Sequence, residues 1–279
     1  MKNLRNLLAL LLAIPVFNIL LYRTLNVSRP RTVQIAAHRC GAALAAENTR
    51  AAFNNAIRIH ADWIEFDVHR TIDGVLVIMH DDTVNRMTNG KGFIKDMTWE
   101  QLQRLRVVNG EPIMTFEEVV ALAKNAAMGL LPELKSTSYY PGIEAQALEI
   151  VRRADCLSKT IFLSFDWDVL EHLKELEPEI KVAPVYGPGQ WDVSETRPTN
   201  AEIVAPMAEM VLLNPWMIRQ AHAVGRQVWV WFGVLDHPAM YRLMLSLGVD
   251  GLICNDPVAA RRLVGQSHQL ASPIPEGRA

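Results

Sequence analysis

The sequence predicts an α/β protein, a closed (β/α)8 barrel preceded by a short apolar N-terminal segment. Three observations predict it. First, eight short apolar runs alternate with amphipathic stretches between residues 33 and 264. Parallel strands need long crossover connections, which such helices supply, and eight units in this length suit a closed barrel. Second, no glycine-rich dinucleotide fingerprint follows the first run, which weighs against the alternative, an open doubly wound sheet. Third, acidic and imidazole side chains recur at the ends of the first few strands, where a barrel places its working face.

Residues 33–38 read as the first strand, and residues 48–60 as a helix whose apolar face is Ala52, Phe53, Ala56, Ile57 and Ile59. Residues 63–68 form the second strand, and 130–135 the third, after a helix at 115–127. A strand at 161–164 follows a helix at 142–154, and one at 181–186 follows a helix at 167–176. Strands at 210–213, 227–232 and 251–254 complete the eight. The last helices, 215–224, 238–247 and 257–264, each open on a proline, a good helix-start signal. One segment breaks the rhythm: residues 71–112 are too many for an ordinary loop. Asp73-Gly74 is a strong turn signal, so 68–71 and 75–80 are expected to pair as a hairpin. An excursion through Thr88-Asn89-Gly90 and a short helix near 99–105 then leads back to the barrel.

The chain of 279 residues, 50% hydrophobic, has enough apolar mass for one large core. Its net charge of −2 offers nothing for a nucleic-acid partner. Cys40, Cys156 and Cys254 are far apart, with no CxxC, and are expected to be unpaired. Residues 6–22 carry no charge, with Lys2 and Arg5 before them and Arg23, Arg29 and Arg31 after. About 17 apolar residues is the lower limit for a membrane span. No small-residue cleavage site follows Leu21. Residues 1–26 are therefore expected to be an uncleaved transmembrane or signal-anchor helix, with a cleaved signal peptide and a buried helix as alternatives. This makes the membrane a partner and suggests an inner or plasma membrane location with the barrel extracytoplasmic, although basic residues on both sides leave topology open. The barrel domain spans 33–265, and the polar residues 266–279, with two prolines, are expected to be a disordered tail.

On a strand, side chains at i and i+2 share a face, so Glu65 projects with Asp67, and Glu133 with Lys135. Charges inside apolar runs are costly unless compensated. Glu65, Asp67 and Glu133 are three hard oxygen donors that suit Mg²⁺ or Ca²⁺; taken singly they would read as salt-bridge partners. His38 ends the first strand and His80 ends the hairpin, and two imidazoles beside carboxylates suit an acid/base couple. The remaining histidines, His60, His69 and His172 among them, read as structural. Arg39 and Lys135 add positive charge of the kind that binds phosphate. Together these groups describe a site for breaking a phosphate ester.

In these residues the chain resembles the glycerophosphodiester phosphodiesterases. That family's pattern is H-R-G, E-N-T, E-x-D-V-x-x-T-x-D-G, H-D and E-x-K. The chain has His38-Arg39, Glu47-Asn48-Thr49, Glu65-Phe66-Asp67-Val68, Thr71-Ile72-Asp73-Gly74, His80-Asp81 and Glu133-Leu134-Lys135. Further matches are Arg86-Met87-Thr88-Asn89-Gly90, Ser164-Phe165, Val230-Trp231 and Gly248-Val249-Asp250-Gly251. The resemblance implies a TIM barrel with a small insertion after the second strand. It implies a divalent metal, Mg²⁺ or Ca²⁺, on Glu65, Asp67 and Glu133, with His38 and His80 as the acid/base pair. It places Arg39 and Lys135 near the phosphate, Glu47 in support, and Phe165 and Trp231 along the pocket. The implied reaction is hydrolysis of glycerophosphodiesters to an alcohol and glycerol phosphate, by a route open to attack from the neighbouring glycerol hydroxyl.

Four departures accompany the match. Cys40 stands at the glycine of H-R-G, where a side chain is expected to crowd the phosphate or shift the backbone. Ala46 replaces a usual proline, Cys254-Asn255 a usual Thr-Asp, and Phe232-Gly233-Val234-Leu235 departs after Trp231. Two further readings stay open: lysophospholipase D-like action on membrane lysophospholipids, and a barrel that binds phosphodiesters or lipid headgroups without turnover.

Overall fold

The computed structural model describes residues 16–24, 32–135, 138–194, 196–198 and 200–271, with side chains to residue 265. Its centre is a closed barrel of eight parallel strands: β1 (Gln34–Ala37), β2 (Trp63–Arg70), β4 (Gly129–Leu134), β5 (Ile161–Ser164), β6 (Lys181–Tyr186), β7 (Ile203–Pro206), β8 (Gln227–Trp231) and β9 (Gly251–Cys254). The strands neighbour one another in chain order, and β1 pairs with both β9 and β2 to shut the ring. A ninth strand, β3 (Leu76–Ile78), lies antiparallel to the end of β2.

Alternation along the strands divides the core in two. Inward side chains fill the lumen: Ala36, Leu131, Ile161, Leu163, Ala183, Val185, Ile203, Ala205, Trp229 and Ile253. Outward residues such as Ile64, Phe66 and Val68 pack under the helices. Trp63 lies so close over Gly129 that a Cβ there would sit 2.0 Å from its ring, so this position admits only glycine. Inverting one strand's register would exchange lumen and helix faces, which is why Glu65 and Asp67 can point only into the barrel.

The helical layer is α2 (Arg50–Arg58), α4 (Phe116–Ala123), α5 (Ile143–Arg153), α6 (Trp167–Leu176), α7 (Ala208–Leu213), α8 (Trp216–Ala223), α9 (Pro238–Leu247) and α10 (Pro257–Ala271). The side chain of Thr49 caps α2 by accepting from Ala52 N, and a reciprocal Thr115–Glu118 box caps α4. The segment between β2 and β4 forms the expected hairpin, with Val68 opposite Ile78. It also holds the short helix α3 (Trp99–Gln103) and a small core of its own, built on Val77, Val84, Met87, Ile94, Leu102 and Ile113.

Two expectations change, and a third falls mostly outside the described residues. The run at 210–213 is the end of helix α7, and the strand is Ile203–Pro206, inserted between β6 and β8. A four-residue apolar run has no periodicity to separate helix from strand, and two such runs, 203–206 and 210–213, lie close together; pairing with β6 and β8 decides between them. The last helix runs through Ala271, into the stretch expected as a tail, and residues 272–279 lie outside those described. At the N-terminus, residues 16–24 form the first helix, α1, which rests on the barrel: Tyr22 is buried, its ring 5.4 Å edge-on from Trp216. No helix among the described residues is long and apolar enough to cross a membrane. The rest of the expected anchor, residues 1–15 and 25–26, lies outside them.

Candidate active site

Where β1 ends, the chain turns through a 3-10 turn, His38–Cys40, with Arg39 at φ +50° and Cys40 at φ +65°. Non-glycine residues rarely adopt this left-handed backbone, and it clusters at functional sites. Here it aims the Arg39 N–H at Glu65 Oε2, 2.6 Å away. The Cys40 side chain does not enter the cavity; it is fully buried in the outer core with Ala52 and Phe53. The expected crowding is absent, and the cost appears as backbone strain.

Glu65, Asp67 and Glu133 bring one oxygen each within 4.8 Å of one another. Adjacent pairing of β2 with β4, with Asp67 opposite Glu133, creates that cluster. Burial, then Asp67 and Glu133, push the Glu65 carboxyl well above the usual carboxylate range. Burial also opposes ionisation of Asp67, but Lys135, His80 and the Asn48 amide hold its carboxyl far below that range. Lys135 Nζ lies 2.7 Å from Asp67 Oδ1 and also bonds Glu133. Asn48 Nδ2 donates to Asp67 Oδ2 at 2.9 Å. One ammonium thus faces three carboxylates. Glu65 Oε1 is buried without a hydrogen-bond partner. An orphaned carboxylate oxygen and uncompensated charge in an all-oxygen donor set fit a hard divalent cation.

The imidazoles flank this cluster. His38 Nδ1 is 3.0 Å from Asn255 Oδ1, an acceptor, so Nδ1 carries the proton and Nε2 is left with its lone pair, 3.9 Å from Glu65 Oε2. Burial and the neighbouring Arg39 guanidinium push the His38 pKa down to about 4. His80 Nδ1 bonds Asp81 Oδ1 at 2.8 Å. His69, expected to be structural, is buried beneath it: Nδ1 meets the Tyr140 hydroxyl and Nε2 the His80 carbonyl. Glu47 lies outside the acidic cluster, between Arg39 Nη1 (3.2 Å) and Arg86 Nη2 (2.6 Å).

A cavity of about 310 Å³ opens over these groups, lined by His38, Arg39, Glu65, His80, Glu133 and Lys135. The apolar residues Leu163, Phe165, Val185, Trp231 and Ile253 complete its lining. Phe165 meets Trp231 edge-on at 5.7 Å, and the Trp231 indole N–H is spent on the Tyr186 carbonyl. The residues proposed for the site therefore line one cavity, except Asp67 and Glu47, which reach it through Lys135 and Arg39. Sequence reasoning gave no role to Asn48, Asp81, Arg86 or Asn255. The first three sit inside the matched motifs and were visible there; Asn255 was noticed only as a departure.

A barrel mouth that gathers three carboxylates, two imidazoles, Arg39 and Lys135 has the groups that breaking a phosphate ester calls for. The profile of the Glycerophosphoryl diester phosphodiesterase family matches residues 38–259. The chain belongs to that family. It is 32% identical over 241 residues to a glycerophosphodiester phosphodiesterase of Caldanaerobacter subterraneus subsp. tengcongensis, covering 82% of this chain and 97% of that one. Among solved structures, a glycerophosphodiester phosphodiesterase from Parabacteroides distasonis superposes with a TM-score of 0.77 at 25% identity, over 85% of this chain and 99% of that one. An Oleispira antarctica phosphodiesterase, solved with the product sn-glycerol-3-phosphate, shares the fold with a TM-score of 0.75 at 24% identity, over 85% and 97% of the two chains.

Proposed function

We propose that the chain hydrolyses glycerophosphodiesters to an alcohol and glycerol phosphate, using a Mg²⁺ or Ca²⁺ ion on Glu65, Asp67 and Glu133 and proton transfer by His38 and His80. The single observation that supports this most is the meeting of two differently held imidazoles with the acidic cluster in one cavity. The bound cation would supply Lewis-acid stabilisation of charge on phosphate oxygens. Arg39 and Lys135 would hold the phosphate by charge-assisted bonds. His38 Nε2, neutral at physiological pH, would take the proton of the attacking hydroxyl: water, which gives glycerol phosphate directly, or the neighbouring glycerol hydroxyl, which gives a cyclic phosphate that a second attack by water opens to glycerol phosphate, the ring oxygen leaving as the hydroxyl. As the P–O bond to the alcohol breaks, the bonding pair stays on oxygen and His80 Nε2 supplies its proton. Phe165 and Trp231 offer flat apolar surface to the organic part of the substrate.

The site's apolar lining and the N-terminal helix support a second element of this reading, work close to lipid. While Tyr22 anchors the helix to the barrel, Val16, Phe17 and Leu20 stay exposed on it, continuing the uncharged run of residues 6–22. Such a face suits a bilayer surface, and it supports a reading in which the chain works at a membrane and reaches lysophospholipids. The test is an assay of the full-length protein in detergent micelles on glycerophosphocholine and lysophosphatidylcholine. Release of glycerol phosphate that stops with EDTA and returns with Mg²⁺ or Ca²⁺ supports the main reading. Tight binding of either compound with no turnover under any metal refutes it, and turnover of the lysophospholipid alone moves the activity to the lysophospholipase D class.

A further inference from the structure

We propose that Arg86, carried by the segment between β2 and β4, is a positioning residue that aligns the proton donor and the phosphate-binding arginine at the same time. Its guanidinium grips both oxygens of Asp81, Nε to Oδ2 and Nη2 to Oδ1, each at 2.8 Å. The same Nη2 reaches Glu47 Oε1 at 2.6 Å. Each carboxylate then holds one working group: Asp81 Oδ1 the ring of His80 at 2.8 Å, Glu47 Oε2 the Arg39 guanidinium at 3.2 Å. A single planar fork therefore links one imidazole, through Asp81, to the Arg39 guanidinium, through Glu47. Arg86 itself does not line the cavity.

The chemistry of the fork explains why arginine stands here. Two donors on one rigid plane fix the rotation of a carboxylate, and a lysine ammonium, as a point charge, does not. Partly exposed ion pairs contribute only modestly to stability, so the larger worth of this one lies in direction. Fixing the Asp81 carboxylate fixes the plane of the His80 ring, and hence where Nε2–H points when the alcohol leaves. A separate small core, which includes Met87 and Val84 on either side of Arg86 in sequence, braces the segment that delivers it. This inference rests on the reading of His80 as the proton donor, and the experiment separates the two.

The Arg86→Gln and Arg86→Lys proteins are compared with the parent on two diesters of glycerol phosphate. One has choline as leaving group and needs a proton; the other has p-nitrophenol and leaves as a stable phenolate. Arg86→Gln is expected to lower kcat on the choline diester by roughly ten- to a hundredfold, within the range general-acid catalysis supplies, with a smaller change in KM. On the p-nitrophenyl ester the loss is expected to be only about a few fold, the share that comes through misplacement of Arg39, because that reaction does not call on the aligned proton. Arg86→Lys falls between. A loss equal on both substrates, or a rate within twofold of the parent on both, overturns the inference. His80→Ala is the reference: if it shows the leaving-group contrast and Arg86→Gln does not, Arg86 alone is misassigned. If His80→Ala itself loses equally on both, the proton-donor reading falls and takes this inference with it.

Discussion

His38 Nδ1 and Asn255 Oδ1 lie 3.0 Å apart, although 217 positions separate them in the chain. The amide oxygen can only accept, so it selects the His38 tautomer whose Nε2 lone pair faces the cavity. Asn255 is itself held, its backbone N–H donating to Asp236 Oδ2 at 3.0 Å. Asn255→Leu is expected to lower kcat by about tenfold or more through loss of ring alignment, while costing roughly 1 kcal/mol of stability for one lost hydrogen bond. The ¹⁵N shifts of the His38 ring check it. An unchanged tautomer with unchanged kcat would remove Asn255 from the machinery.

The acidic cluster makes metal binding readable without turnover. Mg²⁺ or Ca²⁺ at about a hundred times its dissociation constant should stabilise the protein by about 2.7 kcal/mol. Glu65→Gln should lose that increment and the activity together. Because burial and the neighbouring Asp67 and Glu133 already disfavour the Glu65 carboxylate, the metal-free variant should melt no lower than the metal-free parent. Thermal melts with and without EDTA decide both points.

Acid should weaken the Arg86 clamp. Burial works against the Glu47 carboxylate, but Arg86 and Arg39 more than offset it and hold its pKa below the ordinary value of 4.5. Hydrogen bonds from Arg86 hold Asp81 well below 3.8. A carboxylate whose folded pKa is depressed contributes stability above its unfolded pKa and loses it as pH falls through the folded one. The parent should therefore lose stability progressively below about pH 4.5, and Glu47→Gln should show a shallower loss. Denaturant melts at pH 3 to 6 measure the difference in slope.

Cys40→Gly tests the departure at the first turn. Glycine relieves a left-handed backbone worth about 1–3 kcal/mol but gives up a buried side chain worth about 1 kcal/mol. Stability should thus stay level or rise slightly, and the rate on glycerophosphocholine should remain within a few fold, since the side chain faces the core. A large gain in rate would mean that the thiol reaches the phosphate after all.

Paired charges on the N-terminal helix test the lipid-facing reading. Phe17→Asp with Leu20→Asp, at two exposed positions, should weaken co-sedimentation of the full-length protein with anionic vesicles and leave hydrolysis of the water-soluble diester unchanged. Equal vesicle binding by parent and variant would argue against this face.

Much of the molecule was written locally. The i, i+2 spacing of Glu65 with Asp67, the Asp73-Gly74 turn and the prolines opening α9 and α10 each act through near neighbours, so the sequence alone determined the barrel class, the hairpin and the residues of the acidic cluster. The strand at Ile203–Pro206 was hidden because nothing local tells four apolar residues in a strand from four in a helix; only pairing between β6 and β8 does. The partners of the imidazoles were hidden for a related reason. Closing the ring through β1 and β9 sets Asn255 against His38, and folding the β2–β4 segment back over the mouth brings Arg86 to Asp81 and Glu47. Hydrogen bonds act over 3 Å of space regardless of distance along the chain, so the tertiary structure alone decided which polar groups hold the catalytic candidates in place.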